Sequence, residues 1–131
     1  MNKLSAFSSQ LSAFGQPRFR KMVIWIKSME FVEMIYQATN QFPLREMYGL
    51  TNQLRRSAIS IALNIAEGSG AGSDKEFNRF LNISLRSSYE IVCGIEVANR
   101  LRYCEDQKAR LLLSKVDEIS AMISGFKKKL K

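Results

Sequence analysis

A single break, Gly68-Ser-Gly-Ala-Gly72, separates two long stretches that each repeat apolar residues at helical spacing, and it governs what the chain can become. Before the break, from about Leu44 to Gly68, Met47, Leu50, Leu54, Ala58, Ile61 and Ile65 fall along one side of a helix. After it, Ser73 followed by Glu76 forms the S-x-x-E signature of a capped helix start. The spacing predicts a third helix over about Asp74–Arg102, with Phe77, Leu81, Ser84, Ser88, Ile91, Ile95 and Ala98 facing inward. Small residues in its middle, Ser84, Ser87, Ser88 and Gly94, allow a neighbouring helix to approach closely.

Two further segments complete the pattern. From about Val23 to Gln41, Trp25, Met29, Val32 and Tyr36, with Ile26 and Ile35 beside them, predict an amphipathic helix that ends at Phe42-Pro43. From Glu105, the series Ala109, Leu112, Val116, Ile119, Ile123, Phe126 and Leu130 is a sustained heptad seam. Nothing reads as a strand. The expected fold class is all-α, an antiparallel up-down four-helix bundle formed by residues 18–131. Residues 1–17 read as a flexible or short-helical arm in which LSAF occurs twice. On a helix, Leu4, Phe7, Leu11 and Phe14 would form one stripe suited to docking on a partner.

The chain contains no histidine, which removes Ser-His-Asp and Cys-His catalysis, histidine metal sites and the Glu-x-x-His ligands of di-iron bundles. No catalytic residue, cofactor or metal site is expected, and the chain reads as not an enzyme. Cys93 and Cys104 form no CxxC or zinc pattern. If they share one helix, their backbones stand roughly 16 Å apart, beyond disulfide reach. They suggest a reducing, cytoplasmic setting, with Cys93 expected to be a buried apolar side chain. No uncharged apolar run approaches the length of a membrane span.

Lysine and arginine number 20 against 12 acidic residues, a formal charge of +8. This excess favours an anionic partner, or else serves as a solvated surface. Both ends of the chain are basic. The candidate phosphate contacts are the doublet Arg55-Arg56, Arg79 and Arg86 on the third helix, where Lys75 continues the spacing, and the tail Lys127, Lys128 and Lys129. The alternative for the helical arginines is pairing within their own helix, as Arg86 with Glu90. With no RNP, KH, zinc-finger or P-loop signature, binding to RNA or DNA would be led by the backbone and depend steeply on salt. On the second helix, Asn64 and Glu67 suggest either a polar ligand pocket or hydrogen bonds between helices, the latter favoured.

The run GLTNQLRRSAISIALNIAEG, Gly49 to Gly68, followed by Glu76-Phe77, Arg79-Phe80-Leu81 and Ser88-x-Glu90, resembles the 23S rRNA intervening-sequence protein family. That family includes relatives of the accessory variability determinant of diversity-generating retroelements. The resemblance runs from about Phe19 to the last helix and implies a four-helix bundle that often assembles into a homopentameric ring. In the retroelement branch it implies a basic ring that binds nucleic acid and docks a reverse transcriptase. A protein–protein scaffold without a dedicated nucleic-acid role is the alternative. Three positions depart from the family's pattern: Ala62 stands where proline is common, and Arg86 and Arg102 stand where glycine is common.

Overall fold

The structure, a computed structural model, describes residues 17–131. Four helices account for most of them: α1 Val23–Thr39, α2 Leu50–Ser69, α3 Asp74–Arg100 and α4 Asp106–Lys127, with no strand among the described residues. They pack as a four-helix bundle around one apolar core. Short 3₁₀ turns, Arg18–Lys21 and Leu44–Glu46, precede α1 and α2. The predicted second helix is thus shortened at its start, because Pro43 opens a 3₁₀ turn and Gly49 leads into α2. The arm, residues 1–16 with both LSAF repeats, lies outside the described residues.

α3 and α4 bury the faces their spacing predicts. Phe77, Leu81, Ser84, Ser88, Ile91, Ile95 and Ala98 are all buried on α3, and Ala109 through Ile123 of the heptad seam are buried on α4. α1 is rotated from expectation. Its core face is Ile24, Ser28, Phe31, Ile35 and Ala38, whereas Met29 and Tyr36 of the predicted stripe are exposed and Trp25 and Val32 only half-buried. The reason is that α1 is apolar on two overlapping faces, and the one that wins contains a serine. Ser28 loses nothing by burial, since its hydroxyl donates to the Ile24 carbonyl at 2.6 Å.

α2 and α3 share the most extensive contact in the bundle, and small residues permit it. A Cβ on Gly94 would stand 2.5 Å from Leu54 Cδ2, and one on Gly68 would stand 2.7 Å from Phe77 Cδ1 and 2.9 Å from Phe80 Cβ. Alanine in a helix is ordinarily better than glycine by about 1 kcal/mol. At position 68, overpacking against two phenylalanines, at about 1–3 kcal/mol, outweighs that gain. Gly68→Ala is therefore expected to lower the thermal midpoint, whereas a rise would show that the two rings can yield.

The ends of the helices follow from side chains legible in the sequence. The Ser73 hydroxyl accepts from the Glu76 amide at 3.1 Å, the capping bond its motif predicts. Glu46 performs a second capping task across the molecule. Its Oε1 accepts from the Leu50 amide at the start of α2 and its Oε2 from the Tyr103 hydroxyl, joining the α1–α2 connection to the α3–α4 connection.

α3 ends at Arg100 rather than Arg102 because Arg102 adopts φ 66°, in the left-handed region. The Tyr103 amide reaches back to the Ala98 carbonyl and the Arg102 amide to the Asn99 carbonyl, a Schellman stop whose left-handed position favours glycine. Arg102 thus belongs to a cap rather than to the charge of the helix. The left-handed strain of an L-residue exceeds the entropic cost of glycine, so Arg102→Gly is expected to stabilise the fold by about 0.5–1 kcal/mol. Urea unfolding of the two proteins measures it, with the slope unchanged.

Candidate nucleic-acid interface

The outward side of α3 is a stripe of exposed residues stepped at four and three: Lys75, Arg79, Asn82, Arg86, Tyr89, Cys93, Glu96 and Arg100. They share this face because the inward series, from Phe77 to Ala98, occupies the opposite side of the same helix. Tyr89 is 75% exposed and stands one turn after Arg86. Tyr89 belongs to no motif of the sequence, and its spacing from Arg86 among polar neighbours is the one signal there that points to it.

Neighbouring elements bring more positive charge to this stripe. Lys127 at the end of α4 donates from its Nζ to Asn82 Oδ1, and the Lys131 amide donates to Asp74 Oδ2 at 2.9 Å. The tail containing Lys127, Lys128 and Lys129 therefore runs beside the first turns of α3. From the other flank, α2 joins α3 through the Ser87 hydroxyl, which donates to Ser60 Oγ at 2.8 Å. Arg56 lies one turn before Ser60 on α2, and Arg86 directly precedes Ser87. Arg56 and Arg86 are exposed, and among the described residues neither makes an ion pair or a side-chain hydrogen bond.

The remaining two arginines are engaged. Arg79 pairs with Glu76 at 3.1 Å and lies over the Phe80 ring, so its charge is partly answered within α3. Arg55 turns the other way, toward α1. Its Nε donates to Thr39 Oγ1 and its Nη2 to Asn40 Oδ1, both at 2.9 Å, and its guanidinium covers the Tyr36 ring at 4.4 Å. The doublet is thus split: Arg56 stands on the α3 side and Arg55 ties α2 to the end of α1. Arg86 does not pair with Glu90, which instead accepts from Ser57 Oγ at 2.9 Å and Gln53 Nε2 at 3.2 Å.

Asn64 does not bond between helices as expected: its Nδ2 donates within α2, to the Ser60 carbonyl at 2.9 Å and to Ser60 Oγ at 3.1 Å. The bonds that cross to α3 are made at Ser57, Ser60 and the Ile61 carbonyl, which accepts from Ser84 Oγ at 2.9 Å. Asn64 is buried while Glu67 is exposed, so the two do not share a pocket. Among the described residues no group of three or more His, Cys, Asp or Glu side chains could hold a metal ion. No described helix is long and apolar enough to cross a membrane.

The cysteines reverse the expected burial. Cys93 is exposed on the outward side of α3, and Cys104 is the buried one. Burial pushes the Cys104 thiol above its ordinary range, with Glu105 adding to the rise and Lys108 opposing it. A thiol held protonated is a poor nucleophile. Iodoacetamide applied to the folded protein is therefore expected to alkylate Cys93 and spare Cys104, as intact mass and peptide mapping would show. Equal labelling at both would contradict this burial.

Residues 20–125 match the family model described as 23S rRNA-intervening sequence protein. The chain belongs to that family. The match contains the whole Gly49–Gly68 motif, all of α1, α2 and α3, and α4 up to Gly125. The chain is also similar to a solved structure, the crystal structure at 1.70 Å resolution of a protein of unknown function from the S23 ribosomal protein family of Bacteroides thetaiotaomicron, with a TM-score of 0.73. It is 26% identical and covers 82% of this chain and 100% of its own. A search of curated proteins found no match. In this chain the motif's Ser57, Ser60 and Ile61 place the α2–α3 contact, and the exposed cations lie around it.

Proposed function

We propose that the protein is a non-enzymatic, basic accessory protein that binds RNA or RNA/DNA through phosphate contacts on the outward side of α3. One observation carries this reading. Arg56 and Arg86 stand exposed and make no ion pair, and the acid of the first turn, Glu76, is already paired with Arg79, which leaves Glu90 and Glu96 as the carboxylates of this face. Lys128 and Lys129 extend the same charge from α4. Such a surface holds phosphates in register without reading bases. Tyr89 would add one stacking platform for an unpaired base, a contact that tolerates any sequence.

The four helices in this reading run antiparallel, up and down, and the protein acts as a homo-oligomer, a pentameric ring. The cross-helix pairs support the first statement, since Ser57 meets Glu90 while the later Ile61 meets the earlier Ser84. A ring would multiply the +8 of each chain and strengthen polyanion binding through multivalency. Light scattering with a structured RNA, at low and moderate salt, tests both. A five-fold mass that binds RNA and releases it as salt rises is expected. A species that ignores RNA at low salt overturns the binding, and a monomer overturns the ring.

The reading extends to a reverse transcriptase as protein partner. Co-purification with such an enzyme is expected to survive nuclease treatment if the contact is direct. A second reading, a protein–protein scaffold, rests on a different observation: between α1 and α2 the surface forms an apolar groove that nothing among the described residues fills.

A further inference from the structure

A hollow of about 490 Å³ lies where the end of α1 meets the α3–α4 connection and the start of α4. Gln37 and Gln41 line it from the α1 side, and Arg102, Glu105 and Lys108 from the other, with the buried Cys104. Its walls are fixed. The Arg102 and Tyr103 amides close the left-handed stop of α3, Glu46 holds the Tyr103 hydroxyl, and the Tyr103 ring centroid is 5.7 Å from that of Phe42. The hollow therefore belongs to the packed end of the bundle and not to a loose loop.

We propose that this hollow binds a small phosphomonoester whose body carries hydroxyl groups, in chemical class a sugar phosphate. Three observations point to that chemistry. First, its two cations are unanswered. Among the described residues Arg102 and Lys108 make no ion pair and no side-chain hydrogen bond, and Glu105, on the same hollow, pairs with neither. Lys108 is half-buried in this state, although its long stem could carry the charge into water. Second, an arginine stands where the backbone favours glycine. Arg102 holds a φ of 66°, and strain of this kind gathers at ligand clamps. Third, the remaining groups suit a hydroxylated body. Gln37 and Gln41 each offer donors and an acceptor. A bare anion would be repelled by Glu105, whereas a sugar hydroxyl turns that carboxylate into an acceptor. The start of α4 carries no side-chain cap, so its positive end adds to the attraction for phosphate. The volume is that of a small-molecule site and more than inorganic phosphate fills.

Ribose-5-phosphate is the probe, titrated into the full-length protein. It is expected to raise the thermal midpoint saturably and to shift the side-chain amide signals of Gln37 and Gln41 in NMR correlation spectra. Ribose is expected to do neither. R102G and K108Q are each expected to raise the half-saturating concentration about tenfold or more, since each removes a charge-assisted contact to the phosphate. Because R102G is expected to fold more stably without ligand, its lost response is not a loss of fold. R56Q/R86Q, altered on the outward side of α3, is expected to respond as the natural chain does, which separates the hollow from the RNA surface. No saturable response in the natural chain overturns the proposal. So does a response that R102G and K108Q retain in full, or one that R56Q/R86Q abolishes.

Discussion

An R56Q/R86Q variant is expected to bind a structured RNA about ten- to a hundredfold more weakly than the natural chain at moderate salt, with its helical content unchanged. Each arginine contributes a charge-assisted bond to phosphate, discounted because both side chains are solvated. The more telling quantity is the salt dependence. Each lost phosphate contact should lower the slope of log K against log salt by about 0.7–0.9, so the double variant loses about 1.4–1.8. Fluorescence anisotropy over a salt series measures this, and Arg55→Gln is the informative comparison. Arg55 is bound to Thr39 and Asn40, so its loss should reduce stability while leaving the slope nearly unchanged. Equal slopes for the natural chain and the double variant would remove the outward side of α3 from the binding surface.

The largest effect on folding is expected from Phe31→Ala. Phe31 is 1% exposed on the inward face of α1, and truncating so large a buried ring costs about 3–5 kcal/mol. That is a large share of the about 5–15 kcal/mol that holds a typical domain together. Denaturant unfolding should show a midpoint displaced well toward the unfolded side, while Glu33→Ala, an exposed change on the same helix, stays within about 0.5 kcal/mol. A small effect at Phe31 would mean that α1 turns its Trp25 face to the core instead.

Most of the bundle was legible in the chain because its helices carry signals that do not compete. On α3 and α4 one apolar stripe stands against a polar remainder, and the glycine break with Ser73 after it marks where α2 gives way to α3. α1 defeated the same reasoning because it has two apolar stripes, and which of them is buried is decided by what it packs against. The core serine at position 28 added to the ambiguity, since its bond to its own helix is invisible to spacing. Cys93 was misplaced for a related reason. It lies beside Gly94 and Ile91, which are buried, yet one residue of rotation carries it to the solvent side.

The candidate interface was legible only as a set of charges. Spacing placed Arg79 and Arg86 on one side of one helix, but nothing in the sequence separates Arg55 from Arg56. Their division depends on α1 and α3 flanking α2 on opposite sides. That arrangement arises from packing, as does the approach of the Lys127–Lys129 tail to Asn82. The left-handed Arg102 lies between these cases. The sequence holds an arginine there, and only the backbone shows that the position is one that favours glycine.

An all-apolar seam between two helices resembles a smooth rail, along which one rod can slip by a turn and still find grease. The hydroxyls and amides between α2 and α3 are teeth instead. Displacing α3 by one turn would separate Ser84 from the Ile61 carbonyl, Ser87 from Ser60, and Glu90 from Ser57, and would carry Gly94 away from Leu54, where a Cβ would stand only 2.5 Å from Cδ2. The two rods therefore mesh at one height. Because Arg56 rides on one and Arg86 on the other, the distance between the two charges is set by the gearing and not by either helix alone.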